Sequence, residues 1–83
     1  MEIEEEVLKA FKKLRRKDAK QIEAINKKVD QILSDPFQFK PLRHPLEGLW
    51  RVHIGSFVLI YEVCKQTNTV RLLKYKHHDE AYL

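Results

Sequence analysis

The hydrophobic period changes once along this chain, and that change limits what the chain can fold into. Up to residue 34 the apolar residues recur at helical spacing; from residue 48 they alternate. Val7, Leu8, Phe11 and Leu14 make one stripe on a helix spanning about residues 4–16. Glu4, Glu5 and Glu6 fall in its first turn, and Lys12, Lys13, Arg15 and Arg16 in its last, both placements complementing the helix dipole. Asp18 is positioned to cap a second helix, with Gln21 three residues on in a capping-box-like arrangement. Ile22, Ile25, Val29, Ile32 and Leu33 continue that helix until Ser34-Asp35-Pro36, because a residue before proline avoids the α region. A link of two or three residues makes the two helices an antiparallel hairpin.

Residues 35–47 read as a loop interrupted by Pro36, Pro41 and Pro45, with Phe37, Phe39, Leu42 and Leu46 holding it against the core. Beyond it, Trp50, Val52 and Ile54 share one strand face, while Arg51 and His53 share the other. Gly55-Ser56 is a turn, residues 57–63 form a second strand, Lys65 to Asn68 a second turn, and residues 69–75 a third strand. Short turns between consecutive strands predict an antiparallel meander. Neither the hairpin nor the sheet can bury its apolar side alone, so packing one on the other is the economical solution. The expectation is an α+β fold: an N-terminal antiparallel helix hairpin on a small antiparallel β-sheet. A single domain covers 1–83, with the hairpin at about 4–34, the loop at 35–47, the meander at about 48–76 and a C-terminal tail at 77–83.

Several function classes fall away. The longest apolar run, residues 57–61, is far short of the roughly 20 residues a membrane span needs. The acidic start is the reverse of a signal or transit peptide. One cysteine, Cys64, excludes an internal disulfide or a cysteine-based zinc site, and no neighbour in the sequence would lower its pKa. With only Gly48 and Gly55 there is no glycine-rich phosphate loop. These features point to the cytoplasm. The net charge of +4 is modest, but residues 39–78 carry seven Lys/Arg and four His against Glu47 and Glu62. That half suits a polyanion such as RNA, or is simply a lysine-rich solvated surface.

Cleaving RNA without a metal needs a base for the 2′-hydroxyl, cations for the charge developing on phosphate, and an acid for the 5′-oxygen. Arg51, His53 and the tail from Lys74 to Tyr82 supply those residue types. Each also has a plainer reading: Arg51 exposed or paired with Glu62, His53 a surface residue, Tyr82 packed in a groove. His77 and His78 are adjacent, a poor arrangement for one ion, and no metal or other cofactor is expected.

The order of elements resembles the RelE/ParE superfamily of small toxins from type II toxin–antitoxin modules. Two segments carry the resemblance. Residues 48–62, GLWRVHIGSFVLIYE, are similar to the family's central hairpin, and His77-His78-Asp79-Glu80-Ala81-Tyr82 to its closing segment. The RelE-like branch implies a ribosome-dependent mRNA endonuclease in which the 2′-hydroxyl attacks the adjacent phosphate and no metal takes part. On that resemblance Arg51, His53 and His78 are the catalytic candidates, and some branches, the YafQ-like toxins among them, use histidine as acid and base. Arg43, Lys74, Lys76, His77 and Tyr82 are candidate RNA contacts, Tyr82 matching the tyrosine that stacks on a base. The implied partners are the ribosome with its mRNA, and a cognate antitoxin, helical and acidic. Two departures stand out: Val58 occupies a position where the family usually has arginine, and the opening strand is almost absent. A degenerate toxin acting only as an antitoxin-binding module, a ParE-like gyrase inhibitor, and an unrelated RNA-binding fold are the alternatives.

Overall fold

The computed structural model describes residues 1–43, 46 and 48–81. In chain order its elements are β1 (Glu2–Ile3), α1 (Glu5–Lys17), α2 (Ala19–Ser34), β2 (Lys40–Pro41), β3 (Leu49–Ile54), β4 (Phe57–Cys64) and β5 (Thr69–His77). The two helices lie where the apolar spacing predicts. Glu4 is the N-cap of α1 rather than part of its first turn, and its N–H donates to the Leu72 carbonyl at 2.9 Å. Asp18 is the whole link between the helices. Its N–H closes α1 on the Leu14 carbonyl at 2.7 Å, and its Oδ1 accepts from the Gln21 N–H at 3.1 Å to open α2. The capping box is only half formed, because the Gln21 side chain does not turn back. Its Nε2 donates instead to the Ile54 carbonyl at 3.1 Å and the Tyr75 hydroxyl at 2.8 Å, tying the hairpin to the sheet.

The meander forms as expected, but the sheet has five strands in the order β1-β5-β4-β3-β2, with β1 parallel to β5 and the other pairs antiparallel. The additions are two-residue strands at the edges. The opening strand survives in residual form, and β2 emerges from the segment predicted as loop. Pro41 is tolerated there because an edge strand can spare an N–H. Gly55 turns the β3–β4 corner at φ +65°, a left-handed conformation that costs glycine nothing.

One sheet face buries Val52, Ile54, Leu59, Tyr61, Val70, Leu72 and Tyr75 against Val7, Ile25 and Ile32 of the hairpin. Tyr75 sits in an aromatic cluster, stacked on Phe57 with centroids 4.9 Å apart and met edge-on by Phe11 at 5.4 Å. The Tyr61 hydroxyl donates to the Pro36 carbonyl at 2.6 Å and so pins the segment leaving α2. Burial, helped by the nearby Asp35 charge, pushes the Tyr61 pKa up to about 12.

The opposite face holds a smaller cluster, Val58, Ile60 and Ala81, flanked by Leu42 and Leu49. Which β5 residues reach this face is decided by a bulge. The register pairs Ile60 with Lys74 but Tyr61 with Leu72, leaving Leu73 as the extra residue. Leu72 therefore faces the hairpin, while Lys74 and Lys76 stand on the outer face. Unbroken alternation would have turned both lysines into the core.

Candidate functional site

The outer face is built by register. His53 lies opposite Val58, which lies opposite Lys76; Arg51 lies opposite Ile60, which lies opposite Lys74. Each pair of cationic positions therefore flanks an apolar residue, separated by two strand spacings or roughly 10 Å. His53 and Lys76 are exposed, and Arg51 and Lys74 are half-buried. Lys40 pairs with Arg51 across the β2–β3 edge. Lys40, Arg43 and Arg51 line one side-by-side recess of about 510 Å³, completed by Pro41 and Leu42. Its cations suit a phosphate backbone.

The tail returns over this face. The His78 N–H donates to the Ser56 carbonyl at 3.0 Å, docking the tail on the tip of the β3–β4 hairpin. Glu80 N–H then bonds the His77 carbonyl at 2.8 Å, and Ala81, 1% exposed, packs on Val58 and Ile60. Lys74 Nζ donates to the Ala81 carbonyl at 3.3 Å. Val58 is fully buried beneath this tail. The position where the resembling family usually has arginine is therefore the floor of a packed apolar cluster.

Arg51, His53, Lys74 and Lys76 thus share one face, Arg43 lies beside Arg51, and His78 stands at the rim. His77 departs from the sequence grouping. It alternates with Lys76 and faces the hairpin side, its ring edge-on to Phe57 with centroids 5.6 Å apart. It lines a groove with Lys13, Lys17 and Tyr75 rather than joining the outer face. Tyr82 lies outside the described residues. Glu62 pairs with Arg71 at 3.8 Å, and Arg71 also meets Glu2 at 3.3 Å and Glu4 at 3.6 Å. The Arg71 pKa is raised, chiefly by its hydrogen bond to Glu2. This acidic surround neutralises Arg71 and leaves the Arg51–Lys74 and His53–Lys76 rows as the basic part of the face. Cys64 also departs from expectation. It is exposed, and its thiol pKa is lowered below the ordinary value mainly by hydrogen bonding from Thr67.

Two residues were missed in the sequence. Lys40 reaches the recess through a two-residue strand too short to show a period. Asp79 lies against both tail histidines, with Oδ2 3.5 Å from His77 Nδ1 and Oδ1 3.0 Å from His78 Nε2.

A two-helix hairpin on one side of this sheet with a cationic outer face is the arrangement expected of the small RelE/ParE-type toxins that the sequence resembles. Residues 1–82 match the family described as the ParE toxin of the type II toxin–antitoxin system parDE. The chain is 43% identical over 75 residues to a protein of Methanocaldococcus jannaschii named provisionally as toxin RelE4, covering 89% of this chain and 80% of that one. It is 40% identical over 83 residues to an uncharacterised protein of Methanosarcina mazei, covering 99% and 96%. A chain of the YoeB–YefM complex from Staphylococcus aureus superposes with a TM-score of 0.78 over 93% of each chain; at 18% identity that likeness speaks for the fold. The chain belongs to the ParE toxin family of the RelE/ParE superfamily. Among the described residues no helix is long and apolar enough to cross a membrane.

Proposed function

We propose that this chain is the toxin of a type II toxin–antitoxin module and that it cleaves mRNA on the ribosome. The observation that carries the reading is the placement of Arg51, His53, Lys74 and Lys76 on one sheet face, with His78 at its rim. In this scheme His53 takes the proton of the 2′-hydroxyl, whose oxygen bonds to the adjacent phosphorus. Arg51 and the lysines hold the charge that builds on the phosphate oxygens. The bond from phosphorus to the 5′-oxygen breaks as His78 gives that oxygen a proton. The products are a 2′,3′-cyclic phosphate and a free 5′-hydroxyl. Tyr82 stacks on a base of the bound mRNA, a role taken from the family resemblance.

The partner is an antitoxin, an acidic helical segment laid across the basic surface. The YoeB neighbour is itself in a complex with YefM, which supports a partner of this kind. A segment that folds on binding a small domain stabilises it by mass action. Primer extension on programmed ribosomes tests the cleavage. Cuts in phase with codons, lost in Arg51→Ala and His53→Ala, support it; intact mRNA with growth arrest and blocked gyrase supercoiling transfers the reading to the gyrase-inhibiting branch that the family's ParE name suggests.

A second reading rests on Val58. Where the superfamily usually presents an arginine, this face presents a buried valine. A toxin that binds its antitoxin but cuts weakly fits that substitution. Antitoxin binding without growth arrest would favour it.

A further inference from the structure

We propose that His77, His78 and Asp79 form a binding site for a divalent transition-metal ion of the zinc class. Successive residues on a strand point to opposite faces, so adjacent histidines do not normally converge. Here β5 ends at His77 and the chain turns, bringing the two imidazoles side by side with centroids 4.5 Å apart and planes tilted by 37°. One ligand atom from each of the three residues lies within 4.8 Å of the others.

The hydrogen bonds indicate which atoms are available. His78 Nδ1 lies 3.2 Å from the Ser56 carbonyl, which can only accept, so Nδ1 carries the hydrogen. In the neutral ring this leaves a lone pair on Nε2, the atom 3.0 Å from Asp79 Oδ1. His77 Nδ1 accepts the Asp79 N–H at 3.3 Å and is therefore unprotonated; an ion would take over that lone pair in place of the N–H, 3.5 Å from Asp79 Oδ2. One ring nitrogen of each histidine thus lies beside an oxygen of the same carboxylate. A cation between them would be held by three ligand atoms. The Ser56 carbonyl behind His78 is the outer-shell partner that metal-bound imidazoles generally have. Two imidazoles and one carboxylate suit zinc, cobalt, nickel or copper better than magnesium or calcium, and they leave a coordination position open.

One consequence rests on the proposed nuclease reading. With Nδ1 held by the Ser56 carbonyl, Nε2 is the nitrogen through which His78 would deliver its proton, so an ion on Nε2 turns cleavage off.

The test uses the full chain without an affinity tag, titrated with Zn²⁺ by calorimetry and with Co²⁺ by its visible absorption. One ion per chain is expected, with affinity reduced at least about 100-fold in His77→Ala and Asp79→Asn, the upper end of what losing an outer-shell partner costs. Cys64→Ser should bind as the parent does, separating this site from the lone thiol. No binding up to millimolar metal, or equal affinity in His77→Ala, overturns the site. Cleavage on programmed ribosomes is then compared with and without Zn²⁺, each variant against its own zinc-free rate. Inhibition of the parent but not of Asp79→Asn supports the off-switch; undiminished cleavage by the zinc-loaded parent overturns it. Absence of cleavage in every sample counts against the nuclease reading and leaves the binding result standing.

Discussion

Leu72 and Lys74, two residues apart on β5, face opposite sides of the sheet. Leu73, bulged between them, resets the alternation, so a strand that begins by feeding the core ends by presenting cations beside Arg51 and His53. The basic face of the proposed nuclease depends on that one extra residue.

Arg51→Ala should lower mRNA cleavage about 10²–10³-fold, the usual cost of removing one donor aimed at developing charge. His53→Ala should lower it about 10²–10⁴-fold, as expected for a general base. Single-turnover rates on programmed ribosomes measure both. Lys40→Ala, at the recess margin, should mainly weaken binding and flatten its salt dependence.

Val58→Arg places a guanidinium beneath Ala81. We expect a loss of roughly 3–5 kcal/mol in chemical denaturation if the tail stays docked, as for an uncompensated buried charge. If the tail lifts instead, the loss is smaller and the bonds around Ser56 become sensitive to limited proteolysis. Unchanged stability with a protected tail would contradict the buried position of Val58.

Tyr61→Phe should cost about 1–2 kcal/mol near neutral pH through loss of the bond to the Pro36 carbonyl. The pH dependence has a definite sign. The folded-state pKa of Tyr61, about 12, lies above its ordinary value of 10.0, so the unfolded chain releases that proton first. Its contribution is complete below pH 10 and declines from there to pH 12. Comparing denaturant midpoints of the parent and Tyr61→Phe across that window isolates the effect, because the variant lacks this component of the slope.

Gln21→Ala should destabilise the fold by about 1–3 kcal/mol, since it removes both side-chain bonds from the hairpin to the sheet. Burial raises the Tyr75 pKa, and the hydrogen bond from Gln21 partly opposes that. The variant should therefore move the Tyr75 titration further upward, which ultraviolet difference spectra at alkaline pH can follow.

Much of this architecture was legible because single residues carried strong local chemistry. Asp18 reads as a cap, Pro36 as a helix end and Gly55 as a turn, and each takes that place. Arg51 and His53 were correctly placed on one face because β3 alternates without interruption. The strands β1 and β2 were not legible as ladder members, since two residues show no period and their pairing comes from distant partners. The bulge at Leu73 was hidden for a related reason: Leu72 and Leu73 are equally apolar, and only the β4 register tells which one is inserted. The same insertion sets the side that His77 faces, which the sequence does not show. Cys64 was misjudged because its effective neighbour, Thr67, arrives across a turn.

The reversal at Asp18 has no slack. One residue finishes one helix and starts the next, so the turn cannot absorb an added residue without undoing a cap on one side or the other. The two helices are thus joined without slack into one unit, held on the sheet by their shared apolar core and by the two bonds of Gln21.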